Sequence, residues 1–218
     1  MALKLYGHPN STCTKRVATV LHEKKIPHEL VTVDYAKIKE PEYLEKQPFG
    51  QVPYLDDDGF ILYESRAICR YLEAKFPNQG PKLVPSASDL KATALFEQAA
   101  SIEVANFDPF ASKAGFEAII KGWIGLTKDQ AAYDQAISTL STKLDGYERI
   151  LAKQKYLAGD EITLADFFHL PYGELLAQGG SDLLTSKGPN VARWWKDVSS
   201  RASWQTVKDL APAGNVTF

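Results

Sequence analysis

The stretch from Pro48 to Ile68, PFGQVPYLDDDGFILYESRAI, constrains the fold of this chain more than any other. Val52 precedes a proline, which pushes its backbone out of the helical region, so Gln51-Val52-Pro53 runs extended. Asp57-Asp58-Gly59 then separates two short apolar runs, Val52 to Leu55 and Phe60 to Tyr63, and predicts a β-hairpin. Glu64-Ser65 closes the second run and opens an amphipathic helix, along which Ile68, Tyr71, Leu72 and Phe76 fall on one stripe. The segment offers a ligand three things: a free backbone edge at Val52, a carboxylate at Glu64, and the N–H groups and hydroxyl of Ser65 at a helix start. A helix start attracts anions. A zwitterionic amino-acid group fits there, with its ammonium on Glu64 and its carboxylate on Ser65. The plainer alternative is a hairpin and a helix with Ser65 as an ordinary cap.

Upstream, Leu3-Lys4-Leu5-Tyr6 alternates and stops at Gly7-His8-Pro9, as a strand entering a turn does. From Ser11 on, Cys13, Val17, Val20 and Leu21 share one helical stripe, and Ser11 or Thr12 stands where the N-cap belongs. Glu29 to Val33 reads as a second strand, and the polar stretch from Asp34 to Gln47 as irregular. This β-α-β then β-β-α order is that of a thioredoxin-like α/β domain, assigned to residues 1–77. Prolines and glycines from Pro77 to Ser88 mark a linker over 78–88. Beyond it, residues 89–218 read as an all-helical domain. Within that domain Ile137, Leu140, Leu144, Tyr147 and Leu151 form a buried stripe. Thr163 and Asp166 have the spacing of a capping box, with Ile162 and Phe167 as its hydrophobic staple. Trp194-Trp195 reads as packing.

Composition excludes several functions. A net charge of −2 gives no electrostatic reason to expect nucleic acid or an anionic membrane as partner. No apolar run approaches the roughly 18 residues of a spanning helix, and MALKLYGHP lacks the pattern of a signal peptide. Two cysteines, Cys13 and Cys69, fit neither a disulfide framework nor a zinc site and point to a reducing, cytoplasmic setting. The four histidines show no ligand spacing, so no metal is expected.

Taken in order, Gly7-His8-Pro9 leading to Ser11, the PFGQVP run, Glu64-Ser65-Arg66-Ala67-Ile68, and Tyr156-Leu-Ala-Gly-Asp160 through Thr163-Leu-Ala-Asp166 resemble the glutathione transferases, the phi class most. The resemblance spans nearly the whole chain. It implies a cis Pro53 that presents the backbone of Val52 to the cysteinyl part of glutathione, with Gln51 adding a side-chain contact. Glu64 and Ser65 would hold the γ-glutamyl end, and Lys39 the glycine carboxylate; Ile38 departs from the histidine usual before that lysine, and Lys39 as a solvated side chain stays an alternative. Ser11 would carry the chemistry as a hydroxyl donated to the glutathione sulfur. Its rivals are a plain N-cap role, Thr12 in its place, and Cys13 as a thiol of lowered pKa. The apolar stripe shared with Val17 instead reads Cys13, like Cys69, as core. Thr12, Tyr35, Phe116 and Ile120 would line the pocket for the second substrate.

The function so implied is conjugation of the glutathione thiolate to hydrophobic electrophiles, with peroxide reduction as a second activity. Glutathione is then a co-substrate and no cofactor is expected. The partners implied are small hydrophobic electrophiles or peroxides and a second copy in a homodimer, without nucleic acid or membrane. A carrier of apolar ligands without turnover and a Cys13-based thiol transferase are the alternatives.

Overall fold

The computed structural model describes residues 3–210 and 214–218. The chain divides into two compact units: residues up to Lys82 together with the segment from Ala202 onward, and Leu83–Arg201.

The first unit is built on a mixed sheet. Strands β1 (Leu3–Gly7) and β2 (His28–Thr32) are parallel, joined by helix α1 (Thr12–Glu23). Strand β3 (Tyr54–Asp57) runs antiparallel to β1, and β4 (Phe60–Tyr63) antiparallel to β3. The hairpin predicted between them closes through Asp58 and Gly59, at φ 54° and 90°. Positive φ at both central residues suits the right-handed twist of the strands, and glycine takes it without steric cost. The Asp56 carboxylate accepts from the Gly59 N–H at 2.8 Å and fixes the turn. A short helix α2 (Pro41–Leu44) interrupts the stretch read as irregular, and α3 (Ser65–Lys75) follows β4. Val17, Val20 and Leu21 of α1 and Ile68 and Leu72 of α3 are fully buried, as is Cys69, while Cys13, Tyr71 and Phe76 of the predicted stripes are half-buried.

The domain boundary differs from the one expected. Residues from Ala202 onward belong to the first unit, not to the helical one. Helix α12 (Ala202–Val207) buries Ser203, Trp204 and Val207. The Ser203 hydroxyl donates to Glu23 at 2.5 Å, and Lys15 Nζ to the carbonyl of Lys208 at 2.7 Å. A fifth strand, β5 (Gly214–Val216), pairs antiparallel with β2, giving the order β4-β3-β1-β2-β5. Backbone pairing along the free edge of β2 draws the segment there, and its short, weakly apolar GNV sequence carries no strand signal of its own.

The second unit is helical throughout its described elements. Helices α4 (Leu90–Ile102), α5 (Asp108–Gly115) and α6 (Lys121–Trp123) are joined by π-helical turns at Glu103–Phe107 and Phe116–Ile120. Pro109, which has no N–H for a helical bond, follows the first of these wider turns. Helix α7 (Gln130–Leu151) buries Leu140, Leu144, Tyr147 and Leu151, as its periodicity predicts. After it come α8 (Leu164–Phe167), α9 (Leu170–Gln178), α10 (Leu183–Ser186) and α11 (Pro189–Ser199).

Asp166 is the polar centre of this unit. Fully buried, it accepts from the N–H groups of Leu157 (3.0 Å) and Thr163 (2.9 Å), the Thr163 hydroxyl (3.2 Å) and Trp194 Nε1 (2.9 Å). Burial raises its pKa against the opposing pull of those donors. The capping box is present, and it also ties Trp194 of α11 to the start of α8.

Candidate functional site

Gln51, Val52, Pro53, Glu64 and Ser65, singled out in the sequence, line one cleft of the first unit, together with Cys13, Gln47 and Arg66. The cleft is small, about 60 Å³. The Val52–Pro53 peptide is cis, as the resemblance implies. Glu64 stands between β4 and α3 at φ 70°, a conformation L-residues rarely adopt, and its side chain is exposed. That positive φ turns the chain sharply at the start of α3, where Glu64 and Ser65 both line the cleft. Backbone strain of this kind costs about 1–3 kcal/mol and concentrates at functional sites.

Beneath the cleft lies a residue the sequence reading missed. Arg16, fully buried, donates from Nη1 to the Ser65 hydroxyl at 2.9 Å and to Cys13 Sγ at 3.4 Å. Its place one turn after Cys13 carries no sequence signal of this role, because its partner Ser65 lies 49 residues away. With its guanidinium buried, Arg16 lends positive charge to the floor of the cleft. The loop before Pro53 is held by two further side chains. Gln47 Oε1 accepts from the N–H groups of Phe49 (2.9 Å) and Gln51 (3.1 Å), while the Tyr43 hydroxyl donates to the Gln51 carbonyl at 2.6 Å.

Cys13 is not core. Its stripe partners Val17, Val20 and Leu21 are fully buried, but Cys13 lies at the open end of the helix, half-buried, and lines the cleft. Cys69 is buried, with its thiol pushed up to about 12 by desolvation.

Ser11 caps α1: its Oγ accepts from the Thr14 N–H at 3.2 Å. Ser11 and Thr12 are both half-buried at the mouth of the helix, outside the lining of the small cleft. Tyr35 packs on the His8 ring, with centroids 4.6 Å apart. Burial raises the Tyr35 pKa and the Ser11 hydroxyl opposes the rise. Lys39 lies outside the cleft lining, and its Nζ donates to the Phe49 carbonyl at 2.8 Å. Gly50, at φ +58°, has no room for a Cβ, which would fall 2.7 Å from Lys39 Nζ and 2.5 Å from the Ile38 carbonyl. Phe116 and Ile120 begin and end the second π turn of the helical unit, both half-buried, with Lys121 Nζ 5.9 Å from the Phe116 ring centre. A larger cavity of about 370 Å³ in that unit, bounded by Ile102, Asn106, Gly146 and Ile150 among others, holds none of the predicted site residues.

Among the described residues no helix is long and apolar enough to cross a membrane, and no cluster of three or more His, Cys, Asp or Glu side chains could hold a metal ion.

The family model for the glutathione S-transferase N-terminal domain matches residues 5–81, and that for the C-terminal domain matches residues 87–202. The chain belongs to the glutathione S-transferase family. The transferase is 51% identical over 199 residues to the glutathione S-transferase PM239X14 of Arabidopsis thaliana, covering 89% of this chain and 90% of that one. The crystal structure of glutathione transferase F7 from Populus trichocarpa superposes with a TM-score of 0.89 at 40% identity, over 94% and 97% of the two chains. Maize glutathione S-transferase I, in complex with an atrazine glutathione conjugate, superposes at 0.85 with 33% identity over 95% and 97%. The transferase is thus an enzyme of the phi class with a thioredoxin-like first unit.

Proposed function

We propose that the Cys13–Arg66 cleft receives the γ-glutamyl end of glutathione and that Ser11 activates its thiol for attack on hydrophobic electrophiles. One observation carries this reading: five of the six residues expected to bind glutathione, Gln51, Val52, Pro53, Glu64 and Ser65, converge on one cleft of a chain whose family binds that peptide. The ammonium of the γ-glutamyl group pairs with the Glu64 carboxylate. Its carboxylate takes the N–H groups at the start of α3 and the Ser65 hydroxyl, which Arg16 holds from below. The extended backbone at Val52 adds the cysteinyl part as a short β-strand would. The sulfur then lies towards the mouth of α1, where Ser11 stands.

The electrophile then meets that sulfur beside Thr12 and Tyr35 of the same unit. In the conjugation step the thiolate forms a C–S bond and the leaving group departs with the electron pair of the bond it breaks. The glutathione conjugate reported for the maize relative supports this reaction class. Peroxide reduction by the same thiolate, a detoxifying role under stress, a homodimeric assembly and a cytoplasmic location belong to the same reading. Lys39 meets the glycine end with the two N–H donors it does not give to the Phe49 carbonyl. The reaction needs no metal or resident cofactor, because the thiolate itself is the nucleophile.

The half-buried thiol of Cys13 in the same cleft favours a second reading, thiol transfer. There the Cys13 thiolate would attack glutathione disulfide, form a mixed disulfide and release one glutathione thiolate.

The test is calorimetric titration with glutathione together with conjugation of a chlorinated nitrobenzene. Binding and conjugation well above the solution rate are expected, and both should survive in Cys13→Ser. Binding without any conjugation would sink the catalytic reading. Loss of turnover in Cys13→Ser alone would move the chemistry to that thiol.

A further inference from the structure

Gln47 is 2% exposed, yet half of its hydrogen-bonding capacity is unused by the protein. Its Oε1 receives two backbone N–H groups, from Phe49 at 2.9 Å and from Gln51 at 3.1 Å. Two converging donors fix which end of the amide is oxygen, since a nitrogen there would face both with its own hydrogens. The Nε2 end is therefore pinned in the opposite direction with two N–H groups to give. It has no partner among the described residues. Nor does it belong to the sealed orphan atoms, which are His22 Nε2, Glu73 Oε2 and Trp204 Nε1. Gln47 lines the cleft beside Gln51, Val52 and Pro53, so the open side of its amide is the cleft.

We infer that Gln47 is a glutathione-binding residue, whose Nε2 donates to a carbonyl or carboxylate oxygen of the tripeptide; this rests on the reading that the cleft takes glutathione. The chemistry of the cleft supports an oxygen as the acceptor. Gln51, Ser65 and Arg66 in the same lining also present donors, and Glu64 is the only carboxylate among the lining residues. With Nε2 open to the cleft, a ligand oxygen takes the place of water on donors the protein leaves unused. The orientation is set before the ligand arrives, so little side-chain entropy is lost on binding. The same side chain thereby couples the ligand to the backbone of the Phe49–Gln51 loop.

Gln47→Glu separates the two jobs of the side chain. A carboxylate keeps an acceptor for the Phe49 and Gln51 N–H groups but offers the cleft no donor. The melting temperature should stay near wild type while the KM for glutathione rises about tenfold or more, with kcat at saturating glutathione little changed. High salt should not restore affinity, because screening weakens repulsion between charges but cannot supply a missing donor. Gln47→Leu, which lacks both functions, should lose affinity and melting temperature together. Wild-type protein gives a readout that depends on no variant folding: the Gln47 side-chain NH2 resonances should shift and gain exchange protection when glutathione is added. Unmoved NH2 resonances, or a Gln47→Glu protein that binds glutathione like wild type, would overturn the assignment. If wild type itself binds no glutathione, the reading of the cleft fails instead, so the two failures are distinguishable.

Discussion

Replacing Ser11 by alanine removes the observed cap of α1 and, with the same oxygen, the thiol activation proposed for it. Its lone pair accepts the Thr14 N–H at 3.2 Å, at the long end of such bonds. An N-cap of that quality is worth about 0.5–1 kcal/mol, a fall of only a few degrees in melting temperature for a chain of this length. The acceptor role leaves the single hydroxyl hydrogen free to point elsewhere, and in the proposed complex it points at the glutathione sulfur. A cysteine-like thiol titrates near about 8.5, so at pH 6.5 only about 1% is thiolate. To make thiolate half the population, the site must supply about 2 pKa units, or about 2.7 kcal/mol. The start of α1 contributes about 0.3–1 kcal/mol. A hydrogen bond to the charged sulfur contributes about 1.5–3 kcal/mol. The hydroxyl is the larger contribution, so Ser11→Ala should raise the bound thiol pKa by about 1–2 units. Conjugation should slow most at low pH, and glutathione affinity should hold because the Glu64 and Ser65 end is untouched. The assay is the ultraviolet thiolate absorbance of the complex against pH, for wild type, Ser11→Ala and Ser11→Thr. Threonine keeps both functions and should titrate like wild type. If Ser11→Ala does so as well, the hydroxyl does not stabilise the thiolate and the reasoning is refuted.

Glu64→Gly should relieve a φ of 70° and raise the melting temperature, since left-handed backbone costs a non-glycine residue about 1–2 kcal/mol, while the KM for glutathione rises; a variant that is both unstable and unimpaired in binding would contradict the reading. Asp166→Ala strands the buried donors of Leu157, Thr163 and Trp194, each costing about 1–3 kcal/mol when unmet, so chemical denaturation should show a loss several times that of Thr163→Ala, at about 1 kcal/mol. Because the folded pKa of Asp166 is raised, its contribution to stability is greatest below the unfolded carboxylate pKa and is lost as pH rises through the folded value. Denaturation midpoints of wild type and Asp166→Asn measured across that acid window should converge at its lower end. Sedimentation at micromolar concentration should give a dimer with an interface on the order of 1,600 Å² or more, and a 24.2 kDa species alone would refute it.

What the sequence disclosed and what it hid divide along a physical line. Asp58-Gly59 and the Thr163-to-Asp166 spacing were legible because each is local: turn chemistry and a capping box act within a few residues. The periodic stripe of α7 was legible for the same reason. Cys13 was misread because helical spacing says which face a residue shares, but not whether the far end of that face is covered. Arg16 and Gln47 were overlooked because their partners, Ser65 for one and the backbone of the loop for the other, become visible only once the chain is folded. Lys39 was placed by its match to a family position, and the fold shows its ammonium beside Gly50 and bonded to the Phe49 carbonyl. The tail was assigned to the wrong unit because strand pairing needs an edge, and the edge of β2 lies far away in sequence.

That tail has a consequence for synthesis on the ribosome. Helix α12 and strand β5 complete the sheet unit, and the whole helical unit is translated between them and the rest of it. The earlier part of the sheet unit must therefore wait, with the surface of α1 that packs on α12 and the free edge of β2 still open, while the helical residues emerge and fold. During that interval the unpaired edge is the segment most exposed to pairing with another nascent chain, and the emergence of β5 is what closes it.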